Sequence, residues 1–461
     1  MDAAAHWNRL TEAHLAPYKW ILCTDVAAAF TPYLAMFGGM SAPRPLLLAG
    51  SEGTGEQPDP ELAEIVILGT SGDSMLGGIR AYHDALRDLP EWVMERIEAW
   101  DPKGEARILA SFLDTDFEIG GRRTWGARPA EWLALEDKTI IDAVWDAAGV
   151  DRAPSEVVHA ERTALVEAAG RLDRGSGTLW TADNREGWHG GAEYSRYVRD
   201  PAHASSAIGF MEEKANRVRV MPFLEGIPCA IHGLVFPDAV STFRPAEMQV
   251  FRLPDSDLLR YGGAATTWDP PYARREEMRE VSRTVGAHLR ESAGFRGAFT
   301  IDGVMTAEGF RPTELNPRYG AGIGVIGRTA GAPLLGISRM LIAGEDADYR
   351  PAELEEVVVA AADQTRFLGG ITPLWHEVAE TTERRLRVGA EGTVSRADDG
   401  EGNATLSVGP AAHGGVIRFR VDDGEAPKGP QGAPIMAAAV AIADEEWSTG
   451  VGELIPATPA D

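Results

Sequence analysis

Residues 297–331 read GAFTIDGVMTAEGFRPTELNPRYGAGIGVIGRTAG, and the rest of the chain is arranged around them. Two runs of alternating apolar residues, Phe299–Thr306 and Phe310–Asn316, flank Ala307-Glu308-Gly309. That pattern predicts a β-hairpin with a three-residue loop, its glycine sitting where positive φ is needed. If Thr306 pairs with Phe310, Asp302 stands directly opposite Glu314 on one face. Asn316 joins them, because strand side chains repeat every second residue. Opposed carboxylates repel and should destabilise the ladder. A hard divalent cation removes that penalty, and two carboxylates plus an amide carbonyl form an all-oxygen set suited to Mg²⁺ carrying ATP phosphates. A solvated hairpin with a wet acidic face is the plainer alternative. Arg318 and the glycine-rich stretch Gly320–Gly331, which follow at once, weigh against it.

The pattern Asp302…Glu314-Leu315-Asn316-Pro317-Arg318 resembles the metal-binding end of the ATP-grasp ligases. The resemblance covers roughly residues 138–343. It implies Asp302, Glu314 and Asn316 as Mg²⁺ ligands, ATP as cofactor, and Arg318 close to an acyl phosphate. The N-terminal lead-in and the C-terminal extension are similar, more narrowly, to the pheganomycin-type peptide ligases of natural-product biosynthesis. The implied fold class is α/β and α+β multidomain, with two α+β subdomains gripping ATP. The expected division is an N-terminal α/β domain at 1–137, a lid subdomain at 138–222, a larger subdomain with the metal site at 223–348, and a small C-terminal α+β domain at 349–461.

The remaining nucleotide contacts follow from the same resemblance. Lys138 heads a helical pattern, Ile140, Ile141, Val144, Trp145 and Ala148, closed by Gly149. It is the position at which the family's phosphate-binding lysine falls; a solvated helix-start lysine is the alternative. Arg185–Gly191 reads REGWHGG between strand-like Thr178–Thr181 and Glu193–Val198. Its Gly187, Gly190 and Gly191 could bring backbone N–H groups against phosphate oxygens, as in the family's flexible lid. Ala182 stands where relatives carry a second lysine, which leaves Arg185, His189 and Arg196 open as its replacement. The turn Pro222, Phe223, Leu224 and Glu225 matches the hinge that reads adenine through backbone groups. Pro228 occupies the place of the usual ribose-binding Glu, and Glu225 is the candidate substitute. A plain turn between core strands fits that stretch equally well. Arg328 would clamp the acid substrate.

Composition bounds the rest. At 461 residues the chain is too long for one core. Seventy acidic against 44 basic residues give a net charge of −26, which disfavours nucleic acid and anionic membranes as partners. Cys23 and Cys229 are the only cysteines and form no metal spacing. No run approaches membrane-spanning length and no signal peptide opens the chain, so a cytoplasmic protein is expected. A homodimer is compatible with this composition.

The first 137 residues alternate strand-like Pro45–Ala49, Glu64–Leu68 and Arg107–Phe112 with helical Met75–Leu86 and Glu91–Ala99, a partly parallel α/β layer. Gly69–Ser74 is either a phosphate or substrate loop at a helix N-terminus or a turn that supplies an N-cap, the second being favoured. Arg244 and Glu247 in Ser241–Phe251 read as surface charges on an amphipathic strand. After Ala343 the chain carries no motif for chemistry. The resemblance implies ATP-dependent joining of a small amino-acid-like carboxylate to an amine or peptide through an acyl phosphate. An ATP-dependent phosphotransferase and a nucleotide-binding regulator without catalysis remain the alternatives.

Overall fold

The computed structural model describes residues 3–38, 43–110, 115–187, 189–398, 400–411 and 414–458. Trp188 in the glycine-rich tip and Phe112 at the end of an expected strand lie outside them.

Four wholly parallel strands form the N-terminal sheet, in the order Glu64–Ile67, Leu46–Ser51, Trp20–Val26, Arg107–Ala110. Trp20–Val26 is central and was not expected as a strand. Its first five residues are buried, so it carries none of the polar alternation that marks a half-exposed strand. Helix Met75–Arg87 packs on this sheet, capped by Ser74, whose hydroxyl accepts from Gly77 N–H.

The second sheet is antiparallel: Glu156–His159, Arg217–Pro222, Thr178–Ala182, Ser195–Val198. Helices Arg162–Leu172 and Ser205–Lys214 cover it and bury Leu165, Met211 and Trp180 with Val218 and Val220. From Pro222 the chain turns through Phe223–Gly226 into the third sheet. Gly226 has φ 138°, and a Cβ there would lie 2.1 Å from the Met305 carbonyl oxygen, so only glycine fits.

The third sheet has seven strands. Leu259–Ala265, Ala246–Arg252, Ile227–Val235, Gly297–Thr306 and Gly309–Asn316 run in that order, with Val240–Thr242 and Ile455–Pro456 attached. Helix Tyr272–Ala293 follows Pro271, stops at left-handed Gly294, and buries Met278, Val285 and Leu289 behind the hairpin. Those side chains meet Phe299, Phe310 and Leu315. Full burial of each contributes about 1.5–3 kcal/mol, and this apolar back face leaves the front face free for charges.

The hairpin reaches its expected register by an unexpected route. Thr306 pairs with Gly309, not Phe310, so the turn is one residue shorter than predicted. Between Gly303↔Pro312 and Asp302↔Glu314 the ladder shifts, leaving Thr313 as the extra residue of a β-bulge. The two one-residue differences cancel. Without the bulge, Asp302 would face Thr313 and Glu314 would point to the apolar side. Pro312 has no N–H for the ladder, and Gly303 opposite it has no Cβ to strike Phe310, which is why the irregularity sits there.

The C-terminal sheet orders Gly369–Leu374, Gly414–Val421, Ala404–Ala411, Thr382–Val388, Val394–Arg396. Helix Gly432–Trp447 packs on it through Ile435, Met436, Ala439 and Val440. Arg244 and Glu247 are not surface charges; each is 1 % exposed. Arg244 is held by Asp269 and Asp363. Glu247 accepts the Gly432 and Ala433 N–H groups at 2.5 and 3.0 Å, capping the last helix from a strand of the central sheet. Helix Pro351–Gln364 packs Leu354 and Val358 into the core that contains Phe30 and Ile326.

Candidate active site

The front face of the hairpin carries two cross-strand rows, Ala230–Asp302–Glu314 and His232–Thr300–Asn316. Asn316 Nδ2 donates to Asp302 Oδ2 at 2.8 Å, and Arg318 Nη2 donates to Asn316 Oδ1 at 3.2 Å. Lys138 Nζ lies 2.7 Å from Glu314 Oε1. The four sequence-predicted residues Asp302, Glu314, Asn316 and Arg318 are thus adjacent, and Lys138 joins them from just before helix Ile141–Ala148.

Burial and the facing Glu314 charge push the Asp302 carboxyl up to about 7. Burial would also raise Glu314, but Lys138 outweighs it and holds that carboxyl below its ordinary range. The opposed carboxylates therefore have partial compensation within the protein, contrary to the expectation that only a cation could supply it. Behind them Glu136, 1 % exposed, accepts from Arg128 Nη1 at 2.6 Å and from Arg318 Nε at 3.4 Å. Burial opposes its charge, yet Arg318 and Arg128 keep its carboxyl low. Glu136 was missed as a site residue: two positions before Lys138 it reads as an ordinary helix-entry acid. It orients Arg318.

No cluster of three or more His, Cys, Asp or Glu spaced for a metal occurs among the described residues. A cation at this hairpin would find two carboxylates, Asp302 and Glu314, and the Asn316 amide. That set fits Mg²⁺, which binds through one or two carboxylates plus water and phosphate oxygens.

A cleft of about 860 Å³ lies over this face. Gly190 and Gly191 of the lid, the hinge residues Pro222, Phe223, Leu224 and Glu225, and the hairpin set all line it. Among the described residues the Leu224 N–H has no acceptor, as an adenine-reading donor requires. Pro228 and exposed Glu225 both border the cleft. A second cavity of about 420 Å³ shares the hinge residues and meets Glu308 and Arg311 at the hairpin turn, but not Asp302, Glu314 or Asn316.

Other expected residues are placed differently. Arg185 turns back to the carbonyls of Glu213 and Ala215, closing the end of helix Ser205–Lys214 instead of facing the cleft. Gly187 closes a turn on Asn184 and is not part of the cleft wall. Arg196 does line the cleft, but its guanidinium is held by the Glu193 and Ser195 carbonyls and lies 3.5 Å over the Phe210 ring. His189 is the one of the three candidate replacements that comes to the hairpin. It stacks on Tyr194 at 4.7 Å and feels both Lys138 and Glu314, but burial first and then Lys138 push its pKa down, so it adds no cation. Arg328 sits at the far end of helix Ala321–Thr329, donating to the Tyr33 hydroxyl at 3.0 Å and outside the cleft wall. The structure does not bring it to the hairpin. Gly69–Ser74 supplies the favoured N-cap, and the free Leu76 N–H beyond it is taken by Glu193 of the lid at 3.0 Å.

The second and third sheets with their helices face each other across this cleft, and the fold is that of the ATP-grasp proteins, as its likeness to solved structures shows. A biotin carboxylase–ATP-analogue complex from Campylobacter jejuni superposes with a TM-score of 0.56 at 12% identity, covering 95% of this chain and 91% of that one. The biotin carboxylase domain of the Hydrogenobacter thermophilus 2-oxoglutarate carboxylase, with MgADP and bicarbonate, gives 0.54 at 14% identity, covering 96% and 91%. An ADP complex of N5-carboxyaminoimidazole ribonucleotide synthetase gives 0.51 at 11% identity, covering 94% and 98%. No protein-family profile and no curated protein sequence matches the chain. No helix among the described residues is long and apolar enough to cross a membrane.

Proposed function

We propose that the protein is an ATP-dependent carboxylate–amine ligase. The observation that carries this reading is the pair Asp302–Glu314, opposed across a bulged ladder beside Asn316, Arg318 and Lys138 in a cleft that also contains the hinge and the lid glycines. Mg²⁺, when bound there, would neutralise charge on the ATP phosphates during transfer. Asp302, Glu314 and Asn316 are the residues that would hold it. Arg318, fixed by Glu136 and Asn316, presents a permanent positive charge to the phosphorylated carboxyl group and to the oxyanion formed when the amine attacks. Lys138 offers a second cation at the same edge. The stretch Gly190–Gly191, which borders the cleft, would serve as the lid that keeps water from an activated carboxyl. No covalent nucleophile is needed, and the buried Cys229 thiol, pushed well up by burial, is unsuited to be one.

The finer reading is a peptide ligase that joins an amino-acid-like acid to an amine or peptide in natural-product biosynthesis, active in the cytoplasm. Its support is the resemblance of the flanking regions to the pheganomycin-type enzymes. The division into domains at 137, 222 and 348 and the nucleotide roles of Lys138 and the hinge belong to the same proposal.

Hydroxylamine tests the reaction class. With ATP, Mg²⁺ and a panel of amino acids and peptides, a ligase gives ADP, phosphate and a hydroxamate. A kinase gives a stable phosphate ester without hydroxamate, and a regulator gives no turnover. Phospho-product without hydroxamate across the panel would overturn ligation.

A further inference from the structure

Arg328 is carried away to Tyr33, which leaves the acid component without the clamp expected for it. The cleft wall next to the hairpin offers a different group. His232 stands in the row His232–Thr300–Asn316, two residues along the strand, about 7 Å, from the row of Asp302 and Glu314. Its side chain is 2 % exposed and borders the cleft. Nδ1 is bonded to the Thr300 hydroxyl at 2.9 Å, whereas Nε2 is buried and has no partner among the described residues. One nitrogen of the ring is therefore fixed, and the other is kept from water with nothing to bond. A buried polar atom in that state lowers stability unless a ligand satisfies it.

The ring edge that carries Nε2 is turned to the start of helix Ala321–Thr329. A Cβ on Gly322 would lie 2.3 Å from Nε2 and 2.5 Å from Cε1, so a side chain at that position would strike the ring. The N–H groups of Ala321, Gly322 and Ile323 have no acceptor among the described residues, at a helix start with no side-chain cap. Gly320, Ala321 and Gly322 line the same cleft as Asn316 and Arg318. Two independent features thus meet at one point: an orphaned imidazole nitrogen and the free N–H groups at the positive end of a nine-residue helix. Both call for an oxyanion. Burial alone pushes the imidazole down to about 3, so the ring is neutral and acts as a hydrogen-bond donor, not as a cation. We propose that His232 receives the reacting carboxyl group of the acid component, its Nε2–H donating to one carboxyl oxygen beside the free N–H groups at Gly322. In this assignment the Thr300 hydroxyl donates to Nδ1, which puts the ring proton on Nε2. It rests on the ligase reading above and names the acid site of that reaction.

The test compares wild type with His232→Phe, which keeps an aromatic ring without nitrogen, and His232→Gln, which can still present an N–H. Hydroxylamine replaces the amine, each amino acid of the panel is varied as the acid, and MnATP affinity and the melting midpoint are read beside hydroxamate. In His232→Phe the KM for the acid should rise on the order of 10- to 100-fold, while MnATP affinity stays within about twofold of wild type. His232→Gln should recover part of the loss. Thr300→Val, in which nothing fixes the ring proton on Nε2, should fall between wild type and His232→Phe. An unchanged acid KM in folded His232→Phe would overturn the assignment, and so would a joint loss of acid and nucleotide affinity, which marks a structural role. If His232→Phe does not fold, Thr300→Val carries the test, and a wild-type acid KM there overturns it. Inorganic phosphate, released by the same reaction, is the other oxyanion for this place, so its inhibition of hydroxamate formation is measured too. Relief of that inhibition in His232→Phe with an unchanged acid KM would give the site to phosphate and overturn the proposal. Absence of hydroxamate from wild type across the panel would instead overturn the ligase reading, and this assignment with it.

Discussion

Lys138 Nζ lies 2.7 Å from Glu314 Oε1, and Glu314 faces Asp302 across the ladder. One lysine therefore offsets part of the repulsion that the hairpin would suffer before a cation arrives. Lys138 is 5 % exposed and Glu314 31 %, so water screens the pair on one side only. Lys138→Met should lower stability by about 1–2 kcal/mol, less than a fully buried pair would lose. The loss should shrink when Mg²⁺ and ADP are added, because the cation takes over the compensation. Thermal melts in EDTA and in MgADP check this; an equal loss in both would show that Lys138 supports the fold without serving the site.

The bulge is the second requirement. A Cβ on Gly303 would lie 2.4 Å from the Arg311 carbonyl oxygen and 2.6 Å from the Phe310 ring. Gly303→Ala must displace the partner strand where it carries Glu314. Turnover of ATP should fall at least tenfold more than the melting temperature alone would explain. Activity that simply tracks the folded fraction would count against a site set by this register.

Stability should depend on pH through Glu247. Burial pushes its carboxyl from the ordinary 4.5 up to about 7, against the pull of the Ala433 and Gly432 N–H groups. A folded-state pKa above the unfolded value contributes stability that is present below about 4.5 and lost as pH rises through about 7. Glu247→Gln cannot ionise, so denaturation midpoints should show a flatter profile between those values than wild type. A parallel profile in the two proteins would assign the slope to other groups.

The lid is tied at its base. Glu193 accepts from Leu76 N–H at 3.0 Å and from Ser74 Oγ at 3.1 Å, seating a lid carboxylate on the N-terminus of helix Met75–Arg87. Glu193→Ala should speed proteolysis at 187–191 in the absence of nucleotide by several-fold, and MgATP should restore protection if the loop closes on phosphates. Equal cleavage in both proteins, with and without nucleotide, would remove the lid from the account.

Much of this was legible in the sequence because hairpin physics is local. Alternation placed Asp302, Glu314 and Asn316 on one face. The route to the register was not legible, since a shorter turn and a bulge give the same pairing as a longer turn. Pro312 within the strand was the available sign, and it points to a bulge without fixing its position. Long-range partners were the other blind spot. Nothing near Glu247 in the chain shows that a helix beginning at Gly432 ends on it, and nothing near Arg328 shows that its helix carries it away to Tyr33. The strand Trp20–Val26 escaped because burial on both faces erases the period that marks a strand.

Manganese tests the central claim most directly, because Mn²⁺ occupies oxygen sites of the Mg²⁺ kind and reports binding without turnover. Electron paramagnetic resonance of Mn²⁺ titrated into protein with ATP should show one bound MnATP per wild-type chain. In Glu314→Gln, checked for an intact circular dichroism spectrum, that affinity should fall at least tenfold, and ADP formation should fall by orders of magnitude with it. Wild-type MnATP binding in a folded Glu314→Gln protein would contradict the assignment of the hairpin as the metal site.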